Sequence, residues 1–165
     1  MSAIYREISQ RIHGECKELE RVVKRALRAW PLAQKSVSEQ EVYLDSVALN
    51  LHSFYSGLER LFELIARHID QSIPDGETWH RDLLQQMANE ISDIRPAVIG
   101  ENNAKSLDEF RRFRHLIRNV YATNLVPDRI SKLMSGLPDL WKSLKAELIA
   151  FADFIDDLAN IIDDE

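Results

Sequence analysis

One cysteine, Cys16, serves a chain of 165 residues. No disulfide forms within it, and the redox reading is a reducing, cytoplasmic compartment. No run of about 20 apolar residues occurs, so no membrane-spanning helix is expected. The first stretch, MSAIYREISQRIHGECKELERVV, is charged throughout and lacks the apolar centre of a secretory leader. Glycine and proline number 5 each, too few for the many turns of an all-β fold. Glycine-rich phosphate loops are missing. So are the paired Cys or Cys/His spacings of a zinc site and the Glu-x-x-His pairs of di-iron bundles. Neither a metal nor a cofactor is therefore expected. Positive charge is short as well, with 21 Lys and Arg against 27 Asp and Glu and a net charge of -6. That balance disfavours indiscriminate nucleic-acid binding over the whole surface and leaves room for a local cationic site.

What is present is helical periodicity. Hydrophobic residues make up 45% of the chain, enough for one domain with its own core, taken here as residues 1–165. Ile4, Ile8, Ile12, Cys16, Leu19, Val22, Val23, Leu27 and Trp30 form a sustained stripe, which predicts a helix from about Ser2 to Trp30 that ends at Pro31. Ser38 and Glu41 have the spacing of a capping box. A second helix follows over about Glu39 to Ile69, striped by Val42, Leu44, Val47, Leu51, Tyr55, Leu58, Leu61, Phe62, Leu64 and Ile65. Pro74 and Gly76 mark a turn. Trp79, Leu83, Leu84, Met87 and Ile91 predict a third helix over about Glu77 to Ser92. A loop follows around Pro96 and Gly100. A last helical region begins at Pro127, with Gly136 and Pro138 expected to bend or split it. Long helices joined by short connectors predict an all-α, up-and-down bundle of four to five helices.

The fourth helix, about Ser106 to Leu125, carries the chemistry. Ser106 and Glu109 form a capping box, and Leu107, Phe110, Phe113, Leu116, Ile117 and Val120 share the apolar face. The opposite side carries Arg111, Arg112, Arg114, His115, Arg118 and Asn119. At about 100° per residue, Arg111, Arg114, Arg118 and Tyr121 fall on one strip, with His115 beside Arg111 and Arg118. A solvated face with Glu109 and Asp108 paired to Arg112 or Arg111 across a turn is the plain explanation. Against it, every cation is Arg, the residue suited to bidentate phosphate contacts, and a titratable His lies among them. Elsewhere Glu59, Glu63 and His68 read as solvated helix positions, and His52 and His80 as half-buried packing residues. Trp30, Trp79 and Trp141 read as core. The acidic C-terminus reads as a solvated end, with folding over the arginines as the sharper alternative.

The segment RFRHLIRNVYATNLVPDRI resembles the signature region of HEPN-type ribonuclease toxins, in particular the HepT-like group. LHSFYSGLERLFELIARHID and GETWHRDLLQQM precede it in matching order, and the resemblance extends from about Tyr43 to Phe151. The HEPN signature is an arginine, four to six residues, then a histidine, often with a tyrosine two residues on. Asparagine commonly follows the arginine. Arg114 and Tyr121 match. Asn119 stands where histidine is expected and His115 where asparagine is expected, so the polar pair is exchanged along the helix.

The resemblance implies a helical bundle that forms a homodimer with two signature helices facing one cleft. It implies metal-independent endoribonuclease activity, the toxin half of a HEPN/MNT toxin–antitoxin system. The partner is a nucleotidyltransferase antitoxin able to add AMP to the signature tyrosine. Laid on this chain, His115 acts as acid or base, Arg114 and Arg118 neutralise the phosphate, and Asn119 orients His115 or the ribose. Tyr121 contacts RNA and is the modification site, and Arg111 and Arg112 help bind RNA. One histidine per helix makes a second copy the expected source of the second acid–base group. The alternative is a non-catalytic HEPN module that binds a nucleotidyltransferase or another partner.

Overall fold

A computed structural model of the protein describes residues 1–119 and 127–165, with Arg118 and Asn119 described by their backbone alone. Among the described residues there are five α-helices and no β-strand: α1 (Ser2–Lys35), α2 (Gln40–Ile65), α3 (Trp79–Ala88), α4 (Glu101–Asn119) and α5 (Pro127–Asp164). The all-α reading holds. Helix α1 lies against α2 and α5. Helix α2 also packs on α3 and α4, and α4 reaches α5. Their inward stripes merge into one apolar cluster. Beneath α4, Phe54 meets Phe110 and Trp141 edge-on at ring-centre distances of 5.5 and 5.9 Å, the geometry aromatic quadrupoles favour.

Helix ends depart from the sequence expectations for physical reasons. Helix α1 continues through Pro31 to Lys35. Ala29 and Ala33 are buried on either side of the proline, so packing outweighs the lost hydrogen bond. Helix α2 starts behind Ser36, whose Oγ accepts the Glu39 N–H at 3.1 Å; the Ser38–Glu41 box does not form the start. Beyond Ile65 the chain widens into a π-helical turn, Ala66–Asp70, closed by Gln71 at φ 54°. Helix α3 is shorter than expected at both ends.

Helix α4 begins at Glu101, a full turn before Ser106. The donor at its start is met from another element: the Gly100 N–H donates to Glu147 Oε2 at 2.5 Å, and the Asn103 side-chain Nδ2 also donates to Glu147 Oε1. A carboxylate there suits the positive end of the helix dipole. Ser106 is mid-helix, its hydroxyl donating back to the Asn102 carbonyl at 3.2 Å. Helix α5 runs unbroken past Gly136 and Pro138, carried by Leu133, Met134, Leu137, Leu140 and Trp141, all buried. Among the described residues, the C-terminal acids Asp156 and Asp163 turn to α1, not to the arginines of α4. Asp163 meets Arg6 at 2.5 Å and Asp156 accepts the Ser9 hydroxyl at 2.7 Å.

The connection between α2 and α4 is stapled from within. Arg95 and Asp70 are buried against each other, Nε to Oδ1 at 2.5 Å and Nη2 to Oδ2 at 2.7 Å. The remaining guanidinium hydrogens go to the carbonyls of Gln86, Asn89 and Pro96 at 3.0–3.2 Å. Five donors meet five acceptors, the condition under which a buried ion pair is tolerated. This clamp ties the π-turn to the C-terminal end of α3.

Candidate functional site

Arginine side chains on α4 point in three ways. Arg114 turns inward to α2. Its Nε donates to Ser56 Oγ at 2.9 Å, and Nη1 lies 3.4 Å from Glu59 Oε1. Arg111 sits at the edge, its Nε 2.8 Å from Asp108 Oδ1. Arg112 is 57% exposed and shares the same acid, Nε to Oδ2 at 3.0 Å. Of the two acids expected to pair across the turn, Asp108 meets both arginines. His115 is exposed beside Arg111. The side chains of Arg118 and Asn119 lie outside the described residues, as do Val120 to Val126, including Tyr121 and the expected break before Pro127.

Over this face stands the start of α3. Gly76 at φ +88° makes the turn that an L side chain resists, and the chain then enters α3 through Thr78, Trp79 and His80. Between the two helices opens a cleft of about 570 Å³. It is lined by Gly76, Glu77, Thr78, Trp79, His80, Arg81, Arg111 and His115. Two arginines and two imidazoles face one acid there, in a protein whose net charge is -6. Both arginines also meet an acid beside the cleft, Arg111 with Asp108 at 2.8 Å and Arg81 with Asp82 at 3.8 Å, so an anion entering there competes with these carboxylates.

Glu59 corrects the sequence reading most sharply. It is not a solvated helix position: it is 4% exposed. Its Oε1 meets Arg114 and its Oε2 lies 2.8 Å from His80 Nδ1. His80 is half-buried as expected, but it is a cleft residue with a buried carboxylate behind it rather than packing alone. Trp79 is half-buried and packs against the apolar core, and its ring also stacks on that of His80, centroids 3.6 Å apart and planes inclined by 29°. Ser56 and Glu59, three apart on α2, form with Tyr55 a polar seam under α4. The Tyr55 hydroxyl is wholly buried with no hydrogen-bond partner among the described residues. Burial, followed by the nearby Glu59 charge, raises its pKa well above the ordinary phenol range, so it stays protonated.

Among the described residues, three metal-ligand side chains converge at His13, Asp153 and Asp156, between α1 and α5 and away from the cleft. Sequence periodicity had no means of finding the Glu59–His80 contact, which joins positions 21 apart across a turn. A weak signal existed in hindsight: Ser56 and Glu59 interrupt the inward stripe of α2 with polar groups.

Bundle and cleft together define an all-α module that presents arginine and imidazole from one helix to an open groove. The family model described as HepT-like protein matches residues 46–155, and the chain belongs to this HepT-like family, which is related to the HEPN-type ribonucleases. No curated protein and no solved structure matches the chain.

Proposed function

We propose that the protein is a metal-independent endoribonuclease, the toxin of a HEPN/MNT toxin–antitoxin pair, cleaving RNA at the cleft between α3 and α4. The observation that carries this reading is the placement of Arg111 and His115 in one open cleft; family membership supports it. RNA brings its own nucleophile, the 2′-hydroxyl, so scission needs only a base, an acid and cations for the phosphorane-like transition state. His115 moves a proton. Arg111 meets the phosphate at the cleft and Arg118, on the same helix, helps neutralise it; Arg114, turned inward, holds Glu59, and Arg112, exposed on the same helix, is a further RNA contact. Asn119 orients the ribose or His115, and Tyr121 contacts RNA. The nucleotidyltransferase antitoxin neutralises the toxin, with Tyr121 as the residue that receives AMP. A second copy of the chain faces the first across the signature helices and helps enclose the strand.

The test is cleavage of an RNA oligonucleotide by purified protein, with and without chelator. Wild type cuts in both, and His115→Ala lowers the rate by ~10²–10⁴. Undiminished cleavage by the variant removes His115 from the mechanism. A second reading, a non-catalytic HEPN module that binds a nucleotidyltransferase, is favoured by the exchanged Arg114-His115 and Arg118-Asn119 pairs. It predicts co-purification with that enzyme, no RNA cleavage, and no growth arrest on induced expression.

A further inference from the structure

Cleavage by this route needs a base for the 2′-hydroxyl and an acid for the departing 5′-oxygen, and α4 supplies one imidazole. The cleft already holds another. His80 lines it with His115 and Arg111. Its Nδ1 lies 2.8 Å from Glu59 Oε2. An ionised carboxylate only accepts hydrogen bonds, so Nδ1 carries the proton and donates it. In the neutral ring the lone pair then sits on Nε2. Trp79 stacked at 3.6 Å fixes the plane of the ring. Glu59 is itself held, 4% exposed with its other oxygen 3.4 Å from Arg114 Nη1. A buried carboxylate behind an imidazole orients a general base and stabilises the imidazolium it becomes.

We propose that His80 is the general base of the cleft, positioned by Glu59, and that it works with His115 as the acid, so that one chain carries a complete acid–base pair. The inference rests on the ribonuclease reading. The substrate class is a phosphodiester with a neighbouring hydroxyl. Nε2 of His80 takes the 2′-hydroxyl proton while the 2′-oxygen forms its bond to phosphorus. The bond from phosphorus to the 5′-oxygen breaks, and that oxygen keeps the electron pair and takes a proton from the His115 imidazolium. The products are a 2′,3′-cyclic phosphate and a 5′-hydroxyl, and exchange with water resets both rings. Pairing of two chains then serves to hold RNA, not to complete the chemistry.

The charged groups around His80 are Glu59 on α2, Arg111 with its partner Asp108, Arg114 and His115 on α4, and Glu77, Arg81 and Asp82 beside it. The experiment compares wild type, His80→Gln, His115→Gln and Glu59→Gln on an RNA oligonucleotide. The same oligonucleotide with sulfur in place of the bridging 5′-oxygen is the second substrate, because a thiolate departs without a proton. His80→Gln is expected to lose ~10²–10⁴ in rate on both substrates. His115→Gln loses a similar factor on the oxygen substrate and regains most of it on the sulfur one. Glu59→Gln moves the acidic limb of the pH–rate profile to lower pH, which a merely structural role would leave in place. Should His80→Gln melt early, His80→Asn and the Glu59→Gln profile answer the same question. Wild-type cleavage with an undiminished His80 variant and an unmoved limb overturns this proposal and leaves the ribonuclease reading standing. Sulfur that rescues His80→Gln instead of His115→Gln overturns the assignment of the base. A wild type that cuts neither substrate overturns the ribonuclease reading and this inference with it.

Discussion

Glu59 joins three helices through one carboxylate: its own α2, α4 through Arg114, and α3 through His80. A charge so deeply buried persists because both oxygens have donors. Other buried side chains respond to alkali instead. Burial pushes the Cys16 thiol up to about 11, a shift that Lys145 opposes only in part. The folded protein thus holds this proton more tightly than the unfolded chain does. Its contribution is complete below the ordinary thiol value and disappears as pH climbs through about 11. Tyr55, raised by burial in the same sense, adds to the loss. Urea unfolding at pH 8 and near pH 11 should show wild type losing up to about 3 kcal/mol through Cys16. Cys16→Ala should flatten part of that fall. An equal slope in both proteins assigns the alkaline sensitivity elsewhere. In the sequence, Cys16 was legible as a stripe residue, whereas Glu59, Glu63 and His68 looked alike. Only contacts made far along the chain separate Glu59 from the other two, and no local period carries them.

Element by element, interiors were readable and edges were not. The stripes of α1, α2 and α5 follow from spacing alone, because burial of one face is a local demand on sequence. The start of α4 depends on Glu147, which belongs to α5. The Ser106 box that looked sufficient is bypassed by a cap supplied from outside the segment. Pro31 and Pro138 likewise sit inside helices whose packing overrides their local preference. The Arg95–Asp70 clamp is the other device with no local signal, and its removal is testable. Arg95→Met leaves Asp70 buried without its cation and should destabilise the fold by about 3–5 kcal/mol. Loss of the α3 platform should accompany it, read as faster amide exchange across residues 79–88. A variant as stable as wild type shows that the clamp has no such part.

At the scale of the whole molecule, charge is uneven. An excess of acid surrounds a cleft where Arg81, Arg111, His80 and His115 gather. RNA held there should weaken steeply as salt rises, because each neutralised phosphate releases counterions. Arg111→Gln should reduce the slope of log affinity against log salt by about 0.7, the single-strand value for one contact. An unchanged slope places the phosphate elsewhere. No helix among the described residues is long and apolar enough to cross a membrane.

The family match begins at residue 46, and α1 ends at Lys35. The helix outside the match nonetheless buries Ile8, Ile12, Cys16, Leu19 and Val23 against α2 and α5. Gly57 of α2 lies so near it that an added Cβ would meet Leu19 at 2.9 Å. The boundary of kinship is therefore not a boundary of folding. A fragment trimmed to 46–155 should precipitate or bind hydrophobic dyes, and mixing it with a synthetic peptide of residues 1–36 should restore a cooperative melt. Anyone cutting this gene by its homology would discard the helix that covers the apolar faces of α2 and α5.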